Sequence, residues 1–199
     1  DARETGISAE ESKARMSQLW GAMRAASREY EDSLRSTSGL VGGDGARMRD
    51  GIKQHEPICG EFIGLVIAQA LQMAESNACM KRIVAAPTAG SCGVLPAVLL
   101  PYQSKHNIPD ERMLESLYIA AGVGQIIATR ACISGAEGGC QAEIGSASAM
   151  AAAAVVYLAG GDSDQSMQAG AIALKNLLGL VCDPVAGLVE VPCVKRNVI

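Results

Sequence analysis

Three cysteines on glycine- and proline-rich segments are the residues of this chain best suited to chemistry. Cys140 sits in GAEGGCQAE, while Cys182 and Cys193 sit in CDPVAGLVEVPCVKRN. Forty-one residues separate the first two, and ten separate the last two. Pro184 and Pro192 lack a backbone donor, so this stretch is not expected to form one regular helix. Both of its thiols are expected on irregular backbone, where they can turn toward a ligand. Thiolates bind zinc or iron–sulfur clusters. Structural zinc sites use close cysteine pairs and ferredoxins bunch their cysteines, and neither pattern occurs here. Widely spread ligands on turns suit a cluster seated among helix ends. Three ligands on a [4Fe–4S] cluster leave one iron open. An open iron is a Lewis acid that can bind an alcohol and stabilise its departure as hydroxide. The competing reading is that the thiols are small buried hydrophobes, and it is the one adopted for Cys59, Cys79 and Cys132; Cys92 stands between the two.

A second chemical feature is APTAGSCGVLPAVLLPY. Its residues 88–93 form a small-residue turn opening a short apolar helix. Backbone N–H groups at such a start suit a carboxylate or phosphate. An ordinary tight turn is the alternative. The lysine of a nucleotide-binding P-loop is missing, which disfavours nucleotides. Arg47, Arg49, Lys53 and His55 form a small basic patch, either a solvated loop or an anion site.

The chain that must position these groups has 199 residues, enough for one domain with a sizeable core. It is 49% hydrophobic but only 3% aromatic, so small side chains must bring its helices close together. Of 38 charged residues, 19 lie in the first 60 positions and six in 116–180. The later region is therefore expected to be deeply buried and the earlier one solvated or an interface. Net charge is −4 without a basic run, which argues against nucleic acid. The polar start is no signal peptide, and AMAAAAVVYLAG is too short to span a bilayer, so no membrane role is expected. Seven cysteines without secretory features argue against disulfides and place the chain in the cytoplasm.

Periodicity predicts an all-α fold with no strand of useful length. Expected helices cover 8–36, with Ser8 and Glu11 as a capping box, then 57–80, the short stretch after the 88–93 turn, 109–133, 140–159 and 162–178. Residues 39–51, GLVGGDGARMRDG, read as a linker or flexible loop. The second half of 109–133 is nearly uncharged and is expected to be central. That would bury Arg130, with Glu137 or Glu143 as its partner. The organisation expected is a single domain over 1–199. Within it, 1–54 form a charged helix and Gly-rich loop, and 55–199 the cluster- and substrate-binding core. Asp1 does not look like a natural start and KRNVI carries no helix stop, so the chain reads as a fragment.

The segments PTAGSCGVLPAV, GCQAEIGSASAMAAAA and CDPVAGLVEVPCVKRN resemble the iron–sulfur L-serine dehydratases, specifically their catalytic α domain. The resemblance covers about residues 55–199, and its last two motifs are highly specific. It implies a [4Fe–4S] cluster held by Cys140, Cys182 and Cys193, with one free iron site. It implies conversion of L-serine to pyruvate and ammonia without pyridoxal phosphate. It also implies a β domain, on the same chain or a separate subunit; none is visible here. Further copies in a homo-oligomer are the remaining expected partner.

The resemblance also distributes roles. Thr88, Ala89, Gly90, Ser91 and Gly93 match a family turn assigned to the substrate carboxylate. Arg196 and Lys195 follow the third ligand, where they offset cluster charge or bind substrate, a solvated pair being the alternative. Asn77 matches a family Asn that often follows a histidine, and Ser76 stands in that histidine's place. No base is therefore inherited. His55, Lys195 and Lys81 are the candidates in this chain, the β domain another source, and His106 looks merely exposed. A cysteine desulfidase of the same fold, and a non-catalytic or zinc-binding helical module, are the competing functions.

Overall fold

The computed structural model describes residues 6–199; Asp1 lies outside the described residues. Eight α-helices are seen among them: α1 (Ala9–Arg28), α2 (Asp44–Gln54), α3 (Gly60–Ala78), α4 (Val94–His106), α5 (Asp110–Arg130), α6 (Gly135–Leu158), α7 (Ser163–Asn176) and α8 (Glu190–Arg196). A 3-10 turn, Ala89–Ser91, precedes α4. The all-α expectation holds: the described residues contain no strand beyond one isolated bridge, Val185 to Leu188. None of the helices is long and apolar enough to cross a membrane.

Helix α6 is the axis of the main core. Ile144, Ala147, Ala149, Ala151, Ala153 and Ala154 are buried along it. Alanines on this face let α4, α5 and α7 approach closely. At Gly170 of α7, a Cβ would lie 3.2 Å from the Ala149 carbonyl of α6, so the crossing needs a residue without a side chain. Leu95 and Leu99 of α4 and Met113 and Leu117 of α5 fill the remaining space. Each such fully buried side chain contributes about 1.5–3 kcal/mol. Trp20 and Met23 of α1 close the core, with the Trp20 indole donating to Asp110 at 3.5 Å. A second cluster joins Leu71 and Ala74 of α3 to Val41 and to Val194 of α8.

Four expectations need correction. Helix α1 stops at Arg28, eight residues before the expected end; the Ser8 hydroxyl does cap it, accepting from the Glu11 amide. The expected loop at 39–51 contains α2 instead. Its cap comes from elsewhere: the Glu75 carboxylate, only 1% exposed, accepts from the amides of Asp44 (2.7 Å) and Gly45 (3.3 Å) and from the Tyr30 hydroxyl (2.6 Å). A buried negative charge at a helix N-terminus satisfies orphan donors and the helix dipole together. Burial, then the Glu75 carboxylate, push the Tyr30 hydroxyl above the usual phenol range.

The third correction is α5. Its last turns are exposed at Ala121, Gly122, Gln125, Ile126 and Ala128–Arg130, although nearly uncharged. Apolar composition does not by itself mean burial. Arg130 is exposed and needs no buried partner. The fourth is Cys193, which lies within α8 and not on irregular backbone. Pro192 sits in the first turn of that helix, where a missing N–H costs nothing. Cys182 does lie on irregular chain, ahead of a tight reversal. There Ala186 (φ 51°) and Gly187 (φ 79°) both take positive φ between Val185 and Leu188, which bond each other's backbone.

Candidate functional site

Three segments meet around the cysteines. The first is the start of α6. Gly139 has φ 72° and ψ −172°, which kinks the helix one residue before Cys140. A Cβ at Gly139 would lie 3.1 Å from the Leu180 carbonyl and 3.5 Å from the Cys182 nitrogen, so the kink is where the second segment docks. Two hydrogen bonds pin it there: the Gln141 amide to the Leu180 carbonyl, and the Gly179 amide to the Gln141 side chain, both 2.8 Å. The third segment is α8. Its Arg196 pairs with Asp183 at 2.9 Å and reaches the Val181 carbonyl at 3.5 Å, clasping the loop that carries Cys182. Arg196 keeps only 16% of its side chain exposed.

Cys140 is buried, Cys193 half-buried and Cys182 exposed, and none forms a disulfide. Burial, then Glu143, Cys140, Cys182 and Asp183, push the Cys193 thiol up to about 11. Burial also raises the Cys140 thiol; Arg196 opposes this, while Cys182, Asp183 and Glu143 add to it. The three thiols thus share one electrostatic neighbourhood. Among the described residues, no three His, Cys, Asp or Glu side chains converge as they would around one metal ion. Ligands of a four-iron cluster sit wider, with sulfurs roughly 6–7 Å apart. Cys140, Cys182 and Cys193, free thiols with Arg196 beside them, are the residues of this neighbourhood that could hold a metal centre.

A consequence can be measured on the metal-free protein. Only the thiolate reacts with iodoacetamide. With Cys193 near pKa 11, about one molecule in a thousand is thiolate at pH 8. Alkylation of Cys193 should therefore rise about tenfold per pH unit from pH 8 to near 11. Peptide mapping by mass spectrometry reads this directly; a plateau at pH 9 would show that its thiol is not raised.

The 88–93 turn closes the other side. Thr88 and Ser91 cap each other reciprocally, with their hydroxyls 3.0 Å apart, and the Thr88 hydroxyl donates to Glu143 at 2.5 Å. Asn77 donates to the Ala89 carbonyl at 3.0 Å, supporting the turn from outside. Asn197, 4% exposed, donates to the carbonyls of Gly90 and Cys193, both 2.7 Å, and accepts from the Gly93 amide at 2.9 Å. This one side chain fastens α8 to the turn. Cys92 is fully buried behind it, and burial pushes its thiol up to about 12, so it belongs with the packing residues.

Thr88, Ala89, Gly90, Ser91, Gly93, Asn77, Arg196 and the three cysteines therefore form one neighbourhood. The three proposed bases have other surroundings. Lys195 pairs with Asp44 at the start of α2, and with Arg47 it holds that carboxyl below the usual range. His55 follows α2 in a shallow cleft with Lys53, Glu56 and Glu61, and Lys81 pairs with Glu31. In the basic patch, Arg47 pairs with Asp44, and Arg49 and Lys53 with Asp50, as on a solvated surface. A larger groove of about 670 Å³ between α3 and α4 is lined by Cys59, Phe62 and Lys105 but by none of the site residues. Sequence reading gave no site role to Glu143 or Asn197. The signal for Glu143 was there, a carboxylate in an alanine-rich helix whose one other charged residue is Glu137 in the first turn.

The serine dehydratase alpha chain family model matches residues 1–199. A probable L-serine dehydratase alpha chain of Bacillus subtilis is 50% identical over 175 residues, 88% of this chain and 58% of the relative. The L-serine dehydratase alpha chain of Peptoniphilus asaccharolyticus is 46% identical over 158 residues, 79% of this chain and 54% of the relative. An L-serine dehydratase of Escherichia coli is 48% identical over 131 residues, 65% of this chain and 29% of the relative. This chain spans little more than half the length of the alpha chains it matches. With the motifs carried on one connected site and the family match running along the whole sequence, the chain belongs to the serine dehydratase alpha chain family.

Proposed function

We propose that this chain is part of an L-serine dehydratase that converts L-serine to pyruvate and ammonia. The supporting observation is the meeting of the 88–93 turn, Arg196 and three free thiols from separate segments. Cys140, Cys182 and Cys193 would hold a [4Fe–4S] cluster. When bound, such a cluster supplies a Lewis-acidic iron for the departing hydroxyl. The chain's own residues do the rest of the binding. Residues 89 and 90 begin the 3-10 turn, where backbone N–H groups lack an intrahelical partner and suit the substrate carboxylate. Thr88 and Ser91 hold that turn in shape, and Asn197 and Asn77 anchor its carbonyls. Arg196 places positive charge beside the thiols and lowers the cost of gathering thiolates there.

The base that removes the Cα proton is drawn from His55, Lys195 or the β part of the enzyme. The alpha chain relatives support a β chain or domain as partner, and the active form is a cytoplasmic homo-oligomer of the complete enzyme. The test is pyruvate formation by the complete enzyme, reconstituted anaerobically with iron and sulfide. L-serine should turn over at least tenfold better than L-cysteine. A reversed preference would make it a cysteine desulfidase. No turnover, with stoichiometric zinc bound, would make it a non-catalytic zinc module.

A further inference from the structure

We propose that Glu143 is the receptor for the substrate's α-ammonium group. This deepens the reading above and rests on an amino-acid substrate. Glu143 lies one helical turn beyond Cys140 on α6, and its Oε1 accepts from the Thr88 hydroxyl at 2.5 Å. It is half-buried, and among the described residues no cation pairs with it. The arginine of the site is taken by Asp183, and Lys195 by Asp44. A carboxylate has about four acceptor positions, and a single neutral hydroxyl fills one. Its remaining acceptor positions suit a cationic donor.

Two glycines let the carboxylate lie close against the turn and the start of α6. A Cβ at Gly90 would lie 2.6 Å from Glu143 Oε2, and one at Gly135 would lie 2.5 Å from the same atom. Side chains at either position would press into the carboxylate from the turn or from the start of α6. The other carboxylate there, Asp183, already has its cation in Arg196. An amino acid whose carboxylate lies on the 88–93 turn has its ammonium two bonds from the carboxylate carbon. The Thr88–Glu143 bond puts an acceptor beside that position. The site then reads both charged ends of the zwitterion, with backbone donors for one and Glu143 for the other.

The test compares L-serine with 3-hydroxypropionate, which keeps the hydroxyl and carboxylate but lacks the amino group. Both are measured on the complete reconstituted enzyme, L-serine as KM and 3-hydroxypropionate as competitive Ki. A charged hydrogen bond of this kind corresponds to a change on the order of 10- to 100-fold. Glu143→Gln should raise KM for L-serine by that factor and leave Ki for 3-hydroxypropionate within about threefold. Glu143→Asp, which keeps the charge on a shorter arm, should fall between, and it carries the test if Glu143→Gln fails to fold. Asn77→Ala provides the contrast, weakening both ligands together because it loosens the turn at the Ala89 carbonyl without touching Glu143. Equal losses for both ligands in the Glu143 variants, or an unchanged preference for L-serine, would overturn the proposal. Absence of L-serine turnover in the unmodified enzyme overturns the dehydratase reading itself and is distinguished by that control.

Discussion

Cys182→Ser in the complete enzyme should abolish assembly of the cluster and reduce pyruvate formation by more than about 100-fold, the upper range for loss of a mere outer-shell contact. Cys182 is the most informative of the three because its side chain is exposed and lies outside the helices. Exchange of sulfur for oxygen there changes stability by no more than about 0.5 kcal/mol. Loss of iron would therefore report ligation and not unfolding. Cys140→Ser and Cys193→Ser should give the same loss, but both positions are more buried and part of their effect is packing. Cys59→Ser is the matched control and should keep its turnover; Cys59 is exposed, against the expectation that it is a buried packing residue. Iron and acid-labile sulfide after anaerobic reconstitution, together with the rate of pyruvate release, measure all four. A Cys182→Ser enzyme that keeps its iron and its rate would remove this residue from the ligand set.

Asn197→Ala should destabilise the fold and silence the site together. Asn197 is 4% exposed and makes three hydrogen bonds, to the Gly90 carbonyl, the Cys193 carbonyl and the Gly93 amide. Truncation leaves the buried Gly93 donor and the half-buried Gly90 acceptor without these partners, the first costing about 1–3 kcal/mol and the second less. Non-additivity brings the expected sum to about 2–4 kcal/mol. For a chain of this size that lowers Tm by about 4–16 °C. Because the same side chain joins α8 to the 88–93 turn, pyruvate formation should fall below the temperature of melting as well. Thermal denaturation followed by circular dichroism gives the first effect, and an assay well below Tm gives the second. An Asn197→Ala chain with unchanged Tm would mean that α8 is held to the turn by other contacts.

Much of this site was written in local pattern. The thiols, the TAGS turn and the arginine after PCVK stand in short motifs whose residue types already suggest ligation and anion binding. Glu143 was harder to read, because its meaning depends on Thr88, 55 positions earlier in the chain. Asn197 was harder for the same reason, since its partners Gly90 and Gly93 are over 100 positions away. The basic residues show the limit from the other side. Lys195 and Arg196 are adjacent in sequence, yet one pairs with Asp44 on α2 and the other with Asp183 beside Cys182. Neighbours on a helix point in different directions, so adjacency carries no information about which will face the thiols.

The sequence by itself determined that the chain is all helical, where most helices run, which side chains can ligate metal, and which family its motifs resemble. Those properties follow from periodicity, capping and residue type, which act over a few positions. Tertiary structure alone decided that 44–54 coil into a helix, that the uncharged end of α5 faces outward, and that Glu143 meets the 88–93 turn. The first and the last depend on a partner remote in the chain, the buried Glu75 carboxylate and the Thr88 hydroxyl. A contact between distant segments is set by how helices pack, and that information exists only once the chain has folded.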